Sequence, residues 1–75
     1  MEINDFIAKF GECLHHTPAA DISSGTRFKK LEDWSSIFAL IVIAMVDAEY
    51  SKVLTSEDIH KADTIEDLYG IIQSR

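Results

Sequence analysis

The sequence is poor in the residues that equip many small proteins with covalent or metal chemistry. Its only cysteine is Cys13, so no intrachain disulfide can form, and three separated glycines leave no glycine-rich phosphate loop. Seven basic residues against 13 acidic ones give a net charge of −6. This balance repels a nucleic-acid backbone and suits a basic protein partner, so we expect no nucleic-acid ligand.

Long apolar runs are also missing. The longest, residues 37–46, has ten residues, about half of what a membrane-spanning helix needs. Asp5 and Lys9 interrupt the first apolar stretch, which therefore does not resemble a secretory signal. With a single thiol in addition, we expect a cytoplasmic protein without a membrane span. The length of 75 residues, against ~150 for a typical domain, predicts one small domain over residues 1–75.

Apolar periodicity predicts helices at both ends of a long loop. In residues 2–14 apolar side chains recur every three or four positions, which indicates an amphipathic helix. Residues 15–33 lose this period and are predicted to be a loop, held down by Phe28 and Leu31. A second helix is expected to begin at Ser35 or Ser36, because serine is a favoured N-cap, and to reach Tyr50.

Two further helices are predicted by their caps. Thr55 with Asp58, and Thr64 with Asp67, have the spacing of a capping box. These signals predict a short third helix and a fourth helix, and no strand pattern occurs. We therefore expect an all-α fold, a small four-helix bundle with a long first loop. The expected inward stripe and core comprise Ile37, Leu40, Ile43, Val46, Leu54, Ile59, Ile65 and Leu68.

Side chains able to bind metal or perform catalysis are few. Cys13, His15 and His16 lie together, but a zinc site needs three or four ligands, usually in spaced pairs, and His60 stands alone. We therefore interpret the cluster as a polar helix end and predict no metal site. No nucleophile, base and acid form a convincing set, so no catalytic residue is predicted and the protein is not expected to be an enzyme.

The second helix carries a resemblance to a known family. The segment WSSI at residues 34–37, followed by VIAMVDAEY at residues 42–50, resembles the modification region of acyl carrier proteins, in which Asp-Ser-Leu opens the second helix. The segments TRF (26–28), SED (56–58) with Lys61, and TIEDL (64–68) resemble other parts of the family in the same order. The resemblance covers about the whole chain.

This resemblance implies a carrier function. Ser36 is the position that would bear 4′-phosphopantetheine, derived from coenzyme A, whose thiol holds an acyl group as a thioester. Ser35 stands where the family has Asp and is the alternative attachment residue; we expect it to be the N-cap. The implied partners are a phosphopantetheinyl transferase and acyl-transferring or synthase enzymes, and we expect a monomer.

Partner enzymes would dock on the outward face of the second helix and on the third helix. An apolar stripe of Phe38, Ile41, Met45 and Ala48 is expected there, unless the helix is rotated or Trp34 covers the stripe. The predicted partner contacts are Trp34, Ile37, Phe38, Ile41, Met45, Asp47, Glu49, Glu57 and Asp58. Two alternatives stay open: an unmodified interaction module that uses the Phe38, Ile41 and Met45 stripe, and a peptidyl or aryl carrier.

Overall fold

The computed structural model describes residues 2–75 as four helices joined by loops. They are α1 (Ile3–Glu12), α2 (Ser36–Tyr50), α3 (Ser56–Lys61) and α4 (Ile65–Gln73). Two 3₁₀ turns, Ala19–Asp21 and Phe28–Lys30, lie in the connection between α1 and α2. No strand occurs within residues 2–75, so the predicted all-α, four-helix architecture is confirmed.

Local capping explains where the last two helices begin. The Thr55 hydroxyl accepts from the Asp58 N–H at 3.1 Å, while the Asp58 carboxylate accepts from the Thr55 N–H at 3.0 Å. Thr64 and Asp67 repeat the arrangement at the start of α4, with the same two distances. Both predicted capping boxes are therefore present, and each satisfies two N–H groups that a helix start leaves unpaired.

Aromatic side chains form the part of the core nearest to the start of α2. Phe10 of α1 lies with its ring centroid 6.1 Å from Phe28 in the loop and 5.7 Å from Phe38 in α2, in edge-on contacts. Trp34 completes the cluster at 5.2 Å from Phe28 and 5.9 Å from Phe38. As predicted, Phe28 is fully buried and Leu31 half-buried, so the loop is held down.

The rotation of α2 differs from the sequence prediction. Phe38, expected on the outward stripe, is only 3% exposed and belongs to the core together with Val42 and Val46. Ile37 and Leu40, expected in the core, are 71% and 64% exposed. The reason is that Phe38 completes the aromatic cluster with Phe10 and Trp34, so the buried stripe runs through residues 38, 42 and 46.

The long first connection is ordered by the helices around it. Gly11 of α1 is buried, and a methyl group in its place would lie 3.0 Å from the Ala19 side chain, so the loop packs closely on α1. The carbonyl oxygens of Thr26 and Ser24 accept from the N–H groups of Ile65 and Glu66 at the start of α4, at 3.1 and 2.9 Å. The connection is thus held by contacts with α1 and by hydrogen bonds to the start of α4.

A pair of polar contacts joins α1 to the end of α2. The Tyr50 hydroxyl donates to the Asp5 carboxylate at 3.0 Å, and Lys9 pairs with Glu49 at 3.2 Å. Burial, together with the bond to Asp5, raises the pKa of Tyr50 to about 12, so the phenol stays protonated and can keep donating.

Within residues 2–75, no helix combines the length and the apolar character that a membrane crossing demands.

Candidate functional site

The two serines at the start of α2 have different surroundings. Ser35 is the N-cap, and its hydroxyl oxygen accepts from the Phe38 N–H at 3.0 Å, as expected. Ser36 is the first residue of the helix; both serines are exposed to solvent, but within residues 2–75 no hydrogen bond involves the Ser36 hydroxyl. The Ser35 hydroxyl therefore stabilises the helix start, whereas the Ser36 hydroxyl is accessible to a reagent or an enzyme.

A carboxylate fixes the turn that lies beside these serines. Asp33 accepts from three consecutive N–H groups, those of His15, His16 and Thr17, at 2.9 to 3.1 Å. Desolvation acts to raise the pKa of Asp33, but the N–H donors outweigh it and lower the pKa to about 2. The turn at residues 15–17 is therefore fixed to Asp33, two positions before Ser35.

An open cavity of about 350 Å³ lies between this turn and the start of α2. Both sequence neighbours of Ser36, Ser35 and Ile37, line it. Trp34, which was predicted as a partner contact, lines the cavity as well and is half-buried through its contacts with the core rings.

The exposed apolar surface near Ser36 is composed differently from the predicted stripe. Ile37 and Ile41 are exposed as partner contacts require, but Phe38 is buried and Met45 is half-buried against the core. Leu40 takes the place of Phe38, and Val53, 67% exposed in the α2–α3 loop, extends the surface. Sequence reasoning missed Leu40 because every residue from 37 to 46 is apolar, and it missed Val53 because a single apolar residue in a loop carries no signal of the side on which it lies.

A second, smaller cavity of about 230 Å³ lies between α2 and the α2–α3 loop. Its apolar lining includes Leu40, Val53 and Leu54. It begins at the fifth residue of α2, so it lies farther along the helix from Ser36 than the first cavity does.

Three of the four predicted acidic contacts lie on the surface. Asp47 and Glu49 near the end of α2 and Glu57 in α3 are exposed, although Glu49 pairs with Lys9 and Glu57 with Lys61 at 3.4 Å. Asp58, also predicted as a partner contact, is instead buried.

The carboxylate of Asp58 is occupied inside the protein. It accepts from the Thr55 N–H in the capping box and bonds to the Arg75 guanidinium. The Thr55 N–H and the Arg75 charge both lower the pKa of Asp58, so the carboxylate stays ionised and joins α3 to Arg75. The prediction that Asp58 lies on the surface as a partner contact is therefore wrong, because its carboxylate caps α3 inside the protein.

The residues considered for metal binding do not form a ligand set. The Cys13 thiol is half-buried and donates to the Lys9 carbonyl oxygen at 3.6 Å, and burial raises its pKa. A raised pKa keeps the thiol protonated and unreactive. In the part of the chain that the structure describes, no group of three or more His, Cys, Asp or Glu side chains is arranged to hold a metal ion.

No family model matches this chain, and neither a curated protein nor a solved structure matches it significantly.

Proposed function

We propose that this protein is a carrier module that holds acyl intermediates as thioesters on a 4′-phosphopantetheine arm attached to Ser36. The observation that carries the proposal is the division of roles between the two serines. Ser35 uses its hydroxyl to cap α2, while Ser36 presents an exposed hydroxyl one residue later. The order of the helices and the segments that resemble acyl carrier proteins support the same function.

The attachment reaction requires only a hydroxyl group from the carrier. The Ser36 oxygen forms a bond to the phosphorus that bears the pantetheine group of coenzyme A, and the bond from that phosphorus to the bridging oxygen breaks. The hydroxyl proton leaves with a base of the transferase, and adenosine 3′,5′-bisphosphate is released. Because the transferase supplies the base, the carrier needs only an accessible hydroxyl on a helix, which Ser36 provides.

The surface around Ser36 suits docking to enzymes. Ile37, Leu40 and Ile41 form an exposed apolar patch on the first turns of α2, and Asp47 adds negative charge toward its end. An apolar centre with a charged edge is typical of protein interfaces. A tethered intermediate would then reach a docked active site at a high effective concentration. As part of this proposal we place the protein in the cytoplasm, where a single unpaired thiol is common.

Intact-mass measurement tests the attachment. The protein is incubated with coenzyme A and a broad-specificity phosphopantetheinyl transferase, and we expect one phosphopantetheine adduct. Ser36→Ala should abolish the adduct, whereas Ser35→Ala should retain it. Ser56→Ala is the matched control, because Ser56 is an exposed serine at the first position of α3; this variant should be modified like the wild type.

Stability separates the two serines independently of modification. Ser35→Ala removes a cap and should lower the free energy of unfolding by about 1 kcal/mol. Ser36→Ala removes no bond that α2 depends on and should leave the unfolding midpoint nearly unchanged. An adduct that persists in Ser36→Ala would refute the assignment.

The second candidate function is an unmodified interaction module, favoured by the exposed apolar patch itself. With Phe38 in the core, that patch would consist of Ile37, Leu40, Ile41 and Val53 rather than of the predicted stripe. The absence of an adduct with every transferase tried would favour it. If the adduct forms, loading with fatty acyl or with aminoacyl and aryl groups distinguishes an acyl carrier from a peptidyl or aryl carrier.

A further inference from the structure

The cavity beside the start of α2 has a lining of mixed chemistry. Trp34, Ile37 and Ile41 contribute aromatic and aliphatic surface, while His15, His16 and Glu32 contribute polar groups. Among residues 2–75, no hydrogen bond or ion pair to either imidazole is found, so both can act as partners for a ligand. At about 350 Å³ the cavity is within the range of roughly 300–1,000 Å³ typical of small-molecule sites.

Two features hold the walls of this cavity in place. Asp33 fixes the turn at residues 15–17 through three N–H donors, and Trp34 is wedged edge-on against Phe28 and Phe38. The cavity is therefore formed before any ligand arrives. A preformed site binds more tightly than one that must be ordered on binding, because less conformational entropy is lost.

We infer that this cavity is the resting site of the phosphopantetheine arm when no enzyme is docked, an inference that depends on the proposed attachment at Ser36. The attachment residue lies between two residues that line the cavity, Ser35 and Ile37. A pantetheine chain combines a branched apolar segment with two amides. Trp34 and Ile41 offer apolar contact to the first, and the imidazoles with Glu32 offer hydrogen-bonding groups to the second.

The smaller cavity between α2 and the α2–α3 loop is the competing site for the arm. Its lining side chains are mostly aliphatic, and it begins at Leu40, one helical turn beyond Ser36. It lacks polar side chains near the arm's attachment point, since Asp47 and Lys52 lie at its far side in sequence. The cavity at Trp34 therefore fits the amide-bearing arm better.

Comparison of the apo and the phosphopantetheinylated protein tests the inference. Intact mass first establishes that the modified form exists. In ¹H–¹⁵N spectra we then expect chemical-shift changes at residues 15–17 and at Ile41, and a change in the emission of Trp34, the only tryptophan of the chain. His16→Ala and Ile41→Ser, both exposed, should reduce these changes by at least half. Val53→Ser, exposed and in the other cavity, is the matched control and should leave them intact.

The outcomes separate the two claims. Modification at Ser36 with unchanged Trp34 emission, or with shift changes confined to the serine and its neighbours, would overturn the resting site and leave the carrier function standing. Shift changes centred on Leu40, Val53 and Leu54 would assign the arm to the smaller cavity, and they too would overturn the proposed resting site. If no modified form can be produced, the carrier function fails and the resting site with it.

Discussion

The rotation of α2 can be tested by truncating Phe38. This side chain is 3% exposed and contacts the rings of Phe10 and Trp34 at centroid distances of 5.7 and 5.9 Å. Removing a buried phenylalanine side chain costs about 3–5 kcal/mol, because both apolar contact and packing are lost. A chain of this length has a total stability of about 4–11 kcal/mol, so Phe38→Ala should remove a large fraction of it.

Urea unfolding followed by far-ultraviolet circular dichroism measures this effect. Because Phe38→Ala could unfold the protein altogether, Phe38→Leu serves as the milder variant and should shift the midpoint in the same direction by a smaller amount. Ile37→Ala is the matched control: Ile37 is the preceding residue in the same helix, yet it is 71% exposed. Its truncation should change the free energy of unfolding by no more than about 0.5 kcal/mol.

The opposite order of destabilisation in the Phe38 and Ile37 variants would refute the assigned rotation of α2. If Ile37→Ala destabilises the protein more than Phe38→Leu does, then the stripe through residues 37, 40 and 43 is buried, as the sequence analysis had expected. Phe38 would then lie on the surface beside Ser36. The emission of Trp34 gives a second readout, since its ring contacts Phe38 and should respond to the loss of that side chain but not to Ile37→Ala.

Two further predictions concern the loop that frames the site. The folded pKa of Asp33 is about 2, below its ordinary value of 3.8, so its contribution to stability is complete above about pH 4 and is lost as pH falls toward 2. The unfolding midpoint should therefore fall less steeply with decreasing pH in Asp33→Asn than in the wild type. Glu32→Gln is the control. Equal slopes in Asp33→Asn and the wild type would contradict the hydrogen bonds from residues 15–17 to the Asp33 carboxylate. Gly11→Ala places a methyl group 3.0 Å from Ala19, whereas a methyl group at Gly70 meets open space. Gly70→Ala should stabilise α4 by up to about 1 kcal/mol. Gly11→Ala should have a lower melting temperature than Gly70→Ala. The reverse order of melting temperatures would mean that the loop does not approach α1 closely.

The exposed apolar patch has a consequence for the proposed carrier function. The surface of α2 beside Ser36 exposes the apolar side chains of Ile37, Leu40 and Ile41. Apolar contact depends little on salt, whereas attraction between exposed charges is screened. The carrier proposed above would therefore bind enzymes that present an apolar groove, with a weak dependence on ionic strength.

Much of the fold is determined by local signals that can be read from the sequence. A capping box depends on two residues three positions apart, so Thr55 with Asp58 and Thr64 with Asp67 identified the starts of α3 and α4. The Ser35 cap is equally local. The amphipathic pattern of α1 indicated its buried face, although the helix spans Ile3–Glu12 rather than residues 2–14.

Other features were decided only when distant segments came together. Every residue from 37 to 46 is apolar, so the periodicity of α2 could not indicate which side faces inward. Phe10 of α1 contacts the Phe38 ring directly, and Phe28 of the loop contacts the rings of Phe10 and Trp34, so side chains from other segments complete the cluster that buries Phe38.

The surroundings of Ser36 follow the same division. Its place at the start of a helix was predictable, because that depends on the neighbouring cap. The clamp of Asp33 on residues 15–17 and the cavity that it frames join segments about 17 residues apart, and no local pattern encodes their approach. Short-range hydrogen bonding thus determined where the helices begin, while long-range packing of aromatic rings decided which surface each helix leaves exposed.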